Sequence, residues 1–216
     1  MVIKCEGKIS NPLNNPVITG AIVTSDTFSG NNADILGRVS DCLLGGQAVT
    51  WRGFQGFSSA GVYEIKNGVA QATVKNGVFG AVGLDVSLKN IAVQFKVTRF
   101  DAGLIGSGNE FTAFFDVRRV NGTSTAYRLG FNQSGLTLMH RNANNVFKYL
   151  GTTNFKVGDT ILYLAKENSH KVYVNGVLKI NVISDDYVGE GYTSLARGVL
   201  ATDDTWAIDD LILYSL

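Results

Sequence analysis

Cysteine, proline and histidine each occur only twice in this chain of 216 residues, and charged residues make up only 17% of it. Each scarcity excludes something. Cys5 and Cys42 cannot build a disulfide framework, and neither has the Cys or His neighbours of a zinc site. They read as reduced thiols of a chain folded in a cytosol. His140 and His170 fall in different predicted strands with no evident partner. His140 shares a face with Leu136 and Leu138, as a strand histidine satisfied within the fold does. Net charge is +1 and no run of Lys or Arg stands out. The basic stripe with which nucleic-acid binders neutralise phosphates is therefore missing. No apolar run approaches the roughly 18 residues of a spanning helix. The opening "MVIKCEGKIS" lacks the apolar centre of a secretory signal. Neither nucleic acid nor membrane is expected as a partner.

Helical periodicity is lacking too. No window longer than about ten residues keeps a helical apolar spacing, and one turn near "ADILGRV" is the most the sequence allows. No internal repeat suggests a solenoid or propeller.

What remains is rich in strand formers. Val, Ile, Thr, Phe and Tyr dominate the apolar runs. Gly, at 25 residues, punctuates them together with Asn, Ser and Asp. Asn-Gly pairs at Asn67–Gly68, Asn76–Gly77, Asn121–Gly122 and Asn175–Gly176 mark hairpin turns, because both residues tolerate positive φ. Many short strands at close spacing predict an all-β chain, an antiparallel sandwich or closed barrel. Both prolines, Pro12 and Pro16, lie in "SNPLNNPV". Residues 1–24 therefore read as an extended arm for assembly or docking, and 25–216 as the body.

Alternation assigns faces. In "EFTAFFDVRRV", Phe111, Ala113, Phe115 and Val117 share one side, and Thr112, Phe114, Asp116 and Arg118 the other. In "TAYRLGFN", Tyr127, Leu129 and Phe131 are apolar, with Arg128 and Asn132 opposite. The Asn121–Gly122 turn should pair these strands and merge their faces. The resulting polar face of Asp116, Arg118, Arg128 and Asn132 is the candidate ligand-binding surface. Trp51 is a candidate sugar-stacking platform, whereas Trp206 alternates with Ile208, Ile212 and Tyr214 and reads as core.

"HKVYVNGVLKI" resembles the late hairpin of concanavalin A-like lectin/glucanase domains, the laminin-G-like jelly rolls. "SDTFSGNNADILGRVSD" is similar to the opening of such domains in tailed-bacteriophage virion proteins, and "YEIKNGVAQA" to their second hairpin. "YRLGFNQSGLTLMHR" resembles their mid-domain strands, and "WAIDDLILYSL" their closing strand, which returns to pair near the first. Together these segments cover roughly residues 25–216. The resemblance implies two facing antiparallel sheets, carbohydrate as the usual ligand, and a multicopy phage structural protein docked to other virion proteins through its arm. The implied location is the virion.

Chemistry is sparse. The E-x-D-x-x-E run of the glucanases in that superfamily is absent, and Glu64, Asp85, Asp101, Glu110 and Asp116 stand isolated. Glycoside hydrolysis needs two carboxyls about 5–9.5 Å apart. No G-x-S-x-G elbow occurs, and "GLIGSGNE" lacks the Lys and helix of a phosphate loop. Paired loop carboxylates such as Asp203–Asp204 would suit calcium, but without a binding motif they read as turn formers, and no cofactor is expected. The expected function is a non-catalytic virion module, a phage decoration or tail protein that binds host surface carbohydrate. A purely structural capsid or tail protein is the alternative, and a glycan-degrading enzyme comes third.

Overall fold

The computed structural model describes residues 18, 20–41, 46–53, 63–72, 81–101, 111, 113–197 and 206–216. Both prolines, both cysteines, Asn76–Gly77, "GLIGSGNE" and Asp203–Asp204 lie outside those residues. In chain order the strands begin with β1 (Ala21–Asp26), β2 (Ala33–Asp34), β3 (Trp51–Gly53), β4 (Tyr63–Lys66) and β5 (Val69–Ala72). The middle of the chain forms β6 (Ala81–Leu88), β7 (Ile91–Phe100), β8 (Ala113–Arg119), β9 (Ala126–Asn132) and β10 (Gly135–Arg141). The last six are β11 (Phe147–Thr153), β12 (Thr160–Lys166), β13 (Ser169–Val174), β14 (Val177–Ile183), β15 (Gly191–Arg197) and β16 (Trp206–Ser215).

Among the described residues these strands make two antiparallel sheets. One has the order β14-β13-β12-β7-β16-β5-β4-β2, with β1 also on β16; the other runs β11-β10-β9-β8-β15-β6-β3. The predicted sandwich is the observed one. The short helix near "ADILGRV" is not: Ala33–Asp34 pairs with Glu64–Ile65 as strand β2. Burying Ile35, whose amide donates to the Tyr63 carbonyl, outweighs one isolated helical turn.

The closing strand does two jobs. The start of β16 pairs with β5, while Leu211–Ser215 pairs with β1, and β7 flanks it on the other side. A bulge at Asp210, φ 52°, lets the strand change neighbours. A boundary after residue 24 would therefore cut through β1, which is bonded to this chain's own sheet rather than held out as an arm.

The core is the space between the sheets. Phe95 of β7 stacks on Phe115 of β8 with ring centroids 4.5 Å apart, and Phe131 of β9 lies 4.4 Å from Trp206 of β16. Such offset aromatic pairs add about 0.5–1.5 kcal/mol beyond the area they bury. Trp206 is fully buried, as its alternation predicts.

Two Asn-Gly hairpins have the expected backbone. Asn67 and Gly68 sit at φ 55° and 77°, and Asn175 and Gly176 at 50° and 78°, the positive pair a type I′ turn needs. Asn175 also accepts from the Thr160 amide and donates to Asp159, tying the β13–β14 turn to the start of β12. Gly176→Ala should cost about 1 kcal/mol in urea unfolding, because a Cβ is strained at that φ. No loss at all would mean the turn relaxes freely.

Candidate functional site

Register assembles the outer face of the seven-stranded sheet. Tyr149 of β11 pairs with Met139 of β10, Met139 with Arg128 of β9, and Arg128 with Asp116 of β8. Asp116 pairs with Ser194 of β15, Ser194 with Gly83 of β6, and Gly83 with Arg52 of β3. Cross-strand partners share a face, so one row of residues, broken only by Gly83, crosses all seven strands.

At its centre is an ion cluster. Arg128 grips Asp116 with both prongs, Nε to Oδ1 at 2.5 Å and Nη2 to Oδ2 at 2.8 Å. Arg119 donates to Oδ2 at 2.6 Å, and the Ser194 hydroxyl lies 3.5 Å from the same oxygen. Burial pushes the Asp116 carboxyl up, but Arg128 and then Arg119 outweigh that and hold it below the usual carboxylate range. The Arg128 guanidinium stacks 4.2 Å over the Phe114 ring, and Phe111 packs on Phe114 at 5.3 Å. A Cβ on Gly130 would run into the Phe111 ring and Met139, so Phe111 lies directly over this part of the sheet.

This geometry relocates the candidate site. Asp116 and Arg128 do share the outer face, as their alternation predicts, but both are buried and bonded to each other. Arg118 leaves that face altogether. Val117 and Arg118 together oppose the single residue Thr193, and Arg118 adopts φ 52°. The bulge rotates Arg119 onto the polar face in its place. Arg118 turns into the end of the sandwich, where Nε donates to the Lys89 carbonyl and Nη1 to that of Glu167, both at 2.6 Å. It ties the β6–β7 connection between the sheets to the β12–β13 turn, and burial pushes its pKa down. Asn132 is also buried, its Oδ1 accepting the Ser134 amide to shape the β9–β10 turn. Trp51 is no stacking platform. It is buried against Phe28, and its Nε1 donates to Asp26 at 2.8 Å. Asp26 and Asp41 also share Arg38, a network that fastens β1 to the loop before β3.

The accessible part of the face lies at the β11 edge. Tyr149 is 54% exposed and Phe147 38%. Phe147 pairs with Arg141 of β10, whose guanidinium lies 5.4 Å from the ring. Arg141 Nη2 donates to Asn145 at 2.7 Å, while its buried Nε has no partner among the described residues. Burial and then the like charge of Arg128 push Arg141 down to about 10. None of these three residues was singled out by sequence. The signal was the alternation in "FKYL", where Phe147 and Tyr149 face one way and Lys148 the other.

The two histidines, far apart in sequence, meet inside the sandwich. Tyr127 lies between them, with ring centroids 5.0 Å from His140 and 3.9 Å from His170. His170 Nδ1 is 2.7 Å from the Tyr163 hydroxyl. Burial and then the charge of Arg118 push His170 down to about 4. Burial likewise lowers His140 and raises Tyr163.

Among the described residues no group of three or more His, Cys, Asp or Glu side chains could hold a metal ion. A separate cavity of about 400 Å³ lies against the other sheet, lined in part by Leu164, Lys166, Glu167, Ser169, Lys171 and Leu216.

No family model and no curated protein matches the chain. Solved structures do match its fold. One is a LamA variant from Zobellia galactanivorans in complex with laminaritriose and laminaritetraose: 12% identity, 94% of this chain and all of that one covered, TM-score 0.55. Another comes from a study of endo-acting O-glycanases of the human gut microbiota that initiate mucin breakdown: 12% identity, 91% and 100% covered, TM-score 0.56. A third is the receptor-binding domain of botulinum neurotoxin type G: 13% identity, 89% of this chain but only 47% of that one, TM-score 0.53. At such identities the likeness establishes the fold alone, a sandwich of two antiparallel β-sheets.

Proposed function

We propose that this chain is a non-catalytic carbohydrate-binding module whose ligand lies across the β11 end of the seven-stranded sheet. The observation that carries the reading is the pair of exposed aromatic rings on β11, Tyr149 and Phe147, the second of them in register with Arg141. A sugar offers an apolar ring face and a rim of hydroxyls, and a ring beside a planar donor fork suits both. The fold's neighbours lend support, since one is a sugar complex. The reading is non-catalytic because Asp116 is the carboxylate at the middle of the face, and two guanidiniums and a hydroxyl occupy its oxygens. A general acid needs a raised pKa, and this one is lowered. The proposal includes a place on a phage virion in several copies, where avidity would strengthen a weak sugar site. That part rests on the motif resemblance in residues 25–216.

The test is a glycan array of the purified protein, followed by calorimetry on any hit. Tyr149→Ala should weaken binding about tenfold with an unchanged melting temperature. Equal binding by the variant would place the ligand elsewhere, and release of reducing ends from the bound glycan would overturn the non-catalytic reading.

A second reading, assembly without a small ligand, is favoured by strand β14. It is the edge of the nine-stranded sheet and exposes Val177, Leu178 and Ile183. Exposed apolar edges invite strand pairing with another chain.

A further inference from the structure

We infer that the nine-stranded sheet carries a second ligand site, the cavity against strands β12 and β13, and that it takes an amphiphile with a short aliphatic body and an anionic head. The inference is independent of the carbohydrate reading, because Tyr149 and Phe147 lie on the other sheet.

The register of one hairpin builds the site. Lys166 pairs with Ser169 and Leu164 with Lys171, so these four side chains form a block on one face. That face is the outer one, since the residues between them, Ala165 and His170, pair with each other and are buried in the sandwich. The cavity of about 400 Å³ sits on this block, with Ile18 and Leu216 adding to its lining. Its size falls in the lower part of the roughly 300–1,000 Å³ of small-molecule sites.

The lining selects the body of the ligand. Ile18, Leu164 and Leu216 are aliphatic, and lysine stems lie along apolar surface while their ammonium groups stay in water. No aromatic ring is among the described lining residues, so the cavity lacks the flat face on which a sugar stacks. An aliphatic chain suits it.

The two lysines select the head. Lys166 and Lys171 are diagonal neighbours, a placement that sets Cβ atoms about 7–8 Å apart. Long side chains span that gap, so both ammoniums can close on one anion. Among the described residues neither has a hydrogen bond or ion pair. The Glu167 side chain in the lining is engaged elsewhere: Lys89 holds one oxygen at 3.0 Å, and Asn90 donates to the other at 3.2 Å. Two like charges held side by side repel. An anion between them removes the repulsion and gains charge-assisted hydrogen bonds. An ammonium acts as a point charge, so a carboxylate and a sulfate both satisfy it.

The experiment titrates the intact chain with decanoate and decyl sulfate, each below its micelle-forming concentration, beside decanol and butyrate. Saturable binding of the anions at one site is expected, with decanol and butyrate weaker by about tenfold or more. From butyrate upward, each added methylene should tighten binding about fourfold until the cavity is full. Backbone amide resonances should shift at Leu164–Lys171 and Leu216. The double variant Lys166→Gln, Lys171→Gln should bind about tenfold to a hundredfold more weakly at an unchanged melting temperature. Lys166→Arg with Lys171→Arg, which keeps both charges, should retain binding. Binding of one anion but not the other supports the site and identifies its head group. Equal binding of decanol, unchanged binding by the Gln variant, or shifts confined to β11 overturns the inference and leaves the carbohydrate module standing. So does the absence of saturable binding by either anion.

Discussion

Asp116→Asn should destabilise this protein by about 3–5 kcal/mol, among the largest effects of any single polar substitution in it. The carboxylate is fully buried and accepts from Arg128 through both oxygens and from Arg119 through one. Removing its charge leaves two buried guanidiniums facing each other, and the remaining amide oxygen cannot balance them. The measurement is the urea midpoint at neutral pH with an unchanged slope, so that the shift reports stability and not compactness. Replacing Asp116 by Leu together with Arg128→Met and Arg119→Met should recover much of the loss, since a well-packed apolar triad also avoids the unpaired charges. A loss below about 1 kcal/mol for Asp116→Asn would show that water reaches the cluster and that its charges behave like a surface pair.

The second large effect is acid sensitivity. His170 in the folded protein is held down to about 4, first by burial and then by Arg118 and His140. In the unfolded chain its pKa is about 6.5. Below pH 6.5 the unfolded state therefore binds more protons than the folded one, and stability falls as pH falls. The contribution is fully present above about pH 6.5, declines through the interval and is lost near pH 4, about 3 kcal/mol in all. Unfolding free energies measured at a series of pH values should slope steeply across that window, with His140, also lowered by burial, adding to it. His170→Gln should flatten most of the slope. A profile level from pH 7 to pH 4, or one the variant does not change, would mean that the imidazole is not desolvated in solution.

How much of this was legible in the sequence depends on how far each feature's cause lies from the residue itself. The hairpin at Asn175–Gly176 was legible because its cause is local: two residues adopt positive φ, and Asn and Gly tolerate it best. The pairing of β8 with β9 was legible too, since a short connection and matched alternation leave one register that buries Phe115 with Leu129. Alternation then failed at Phe111, which it groups with Phe115 but which packs on Phe114 over the outer face, and at Arg118. Arg118 continues the outward pattern of Phe114 and Asp116 in sequence, yet it points inward because β8 carries an extra residue against β15, some 75 positions later in the chain. Nothing in "FFDVRRV" announces that bulge. Trp51 misled for a similar reason: the partner that buries it, Asp26, lies 25 residues away.

The sequence by itself determined the class of fold, the positions of the tight turns and the alternation that separates core from surface, because period-two patterning and turn chemistry act between neighbours. It also placed Asp116 and Arg128 on one face and Trp206 in the core. Only the tertiary structure decided which polar residues ligands can reach. Burial is a property of what packs over a residue, and Phe111 lying across Gly130 seals the centre of the face while leaving Tyr149, Phe147 and the rim of Arg141 at its edge. The meeting of His140 and His170 around Tyr127 was likewise decided by the packing of two sheets, whose registers are set by every strand between them.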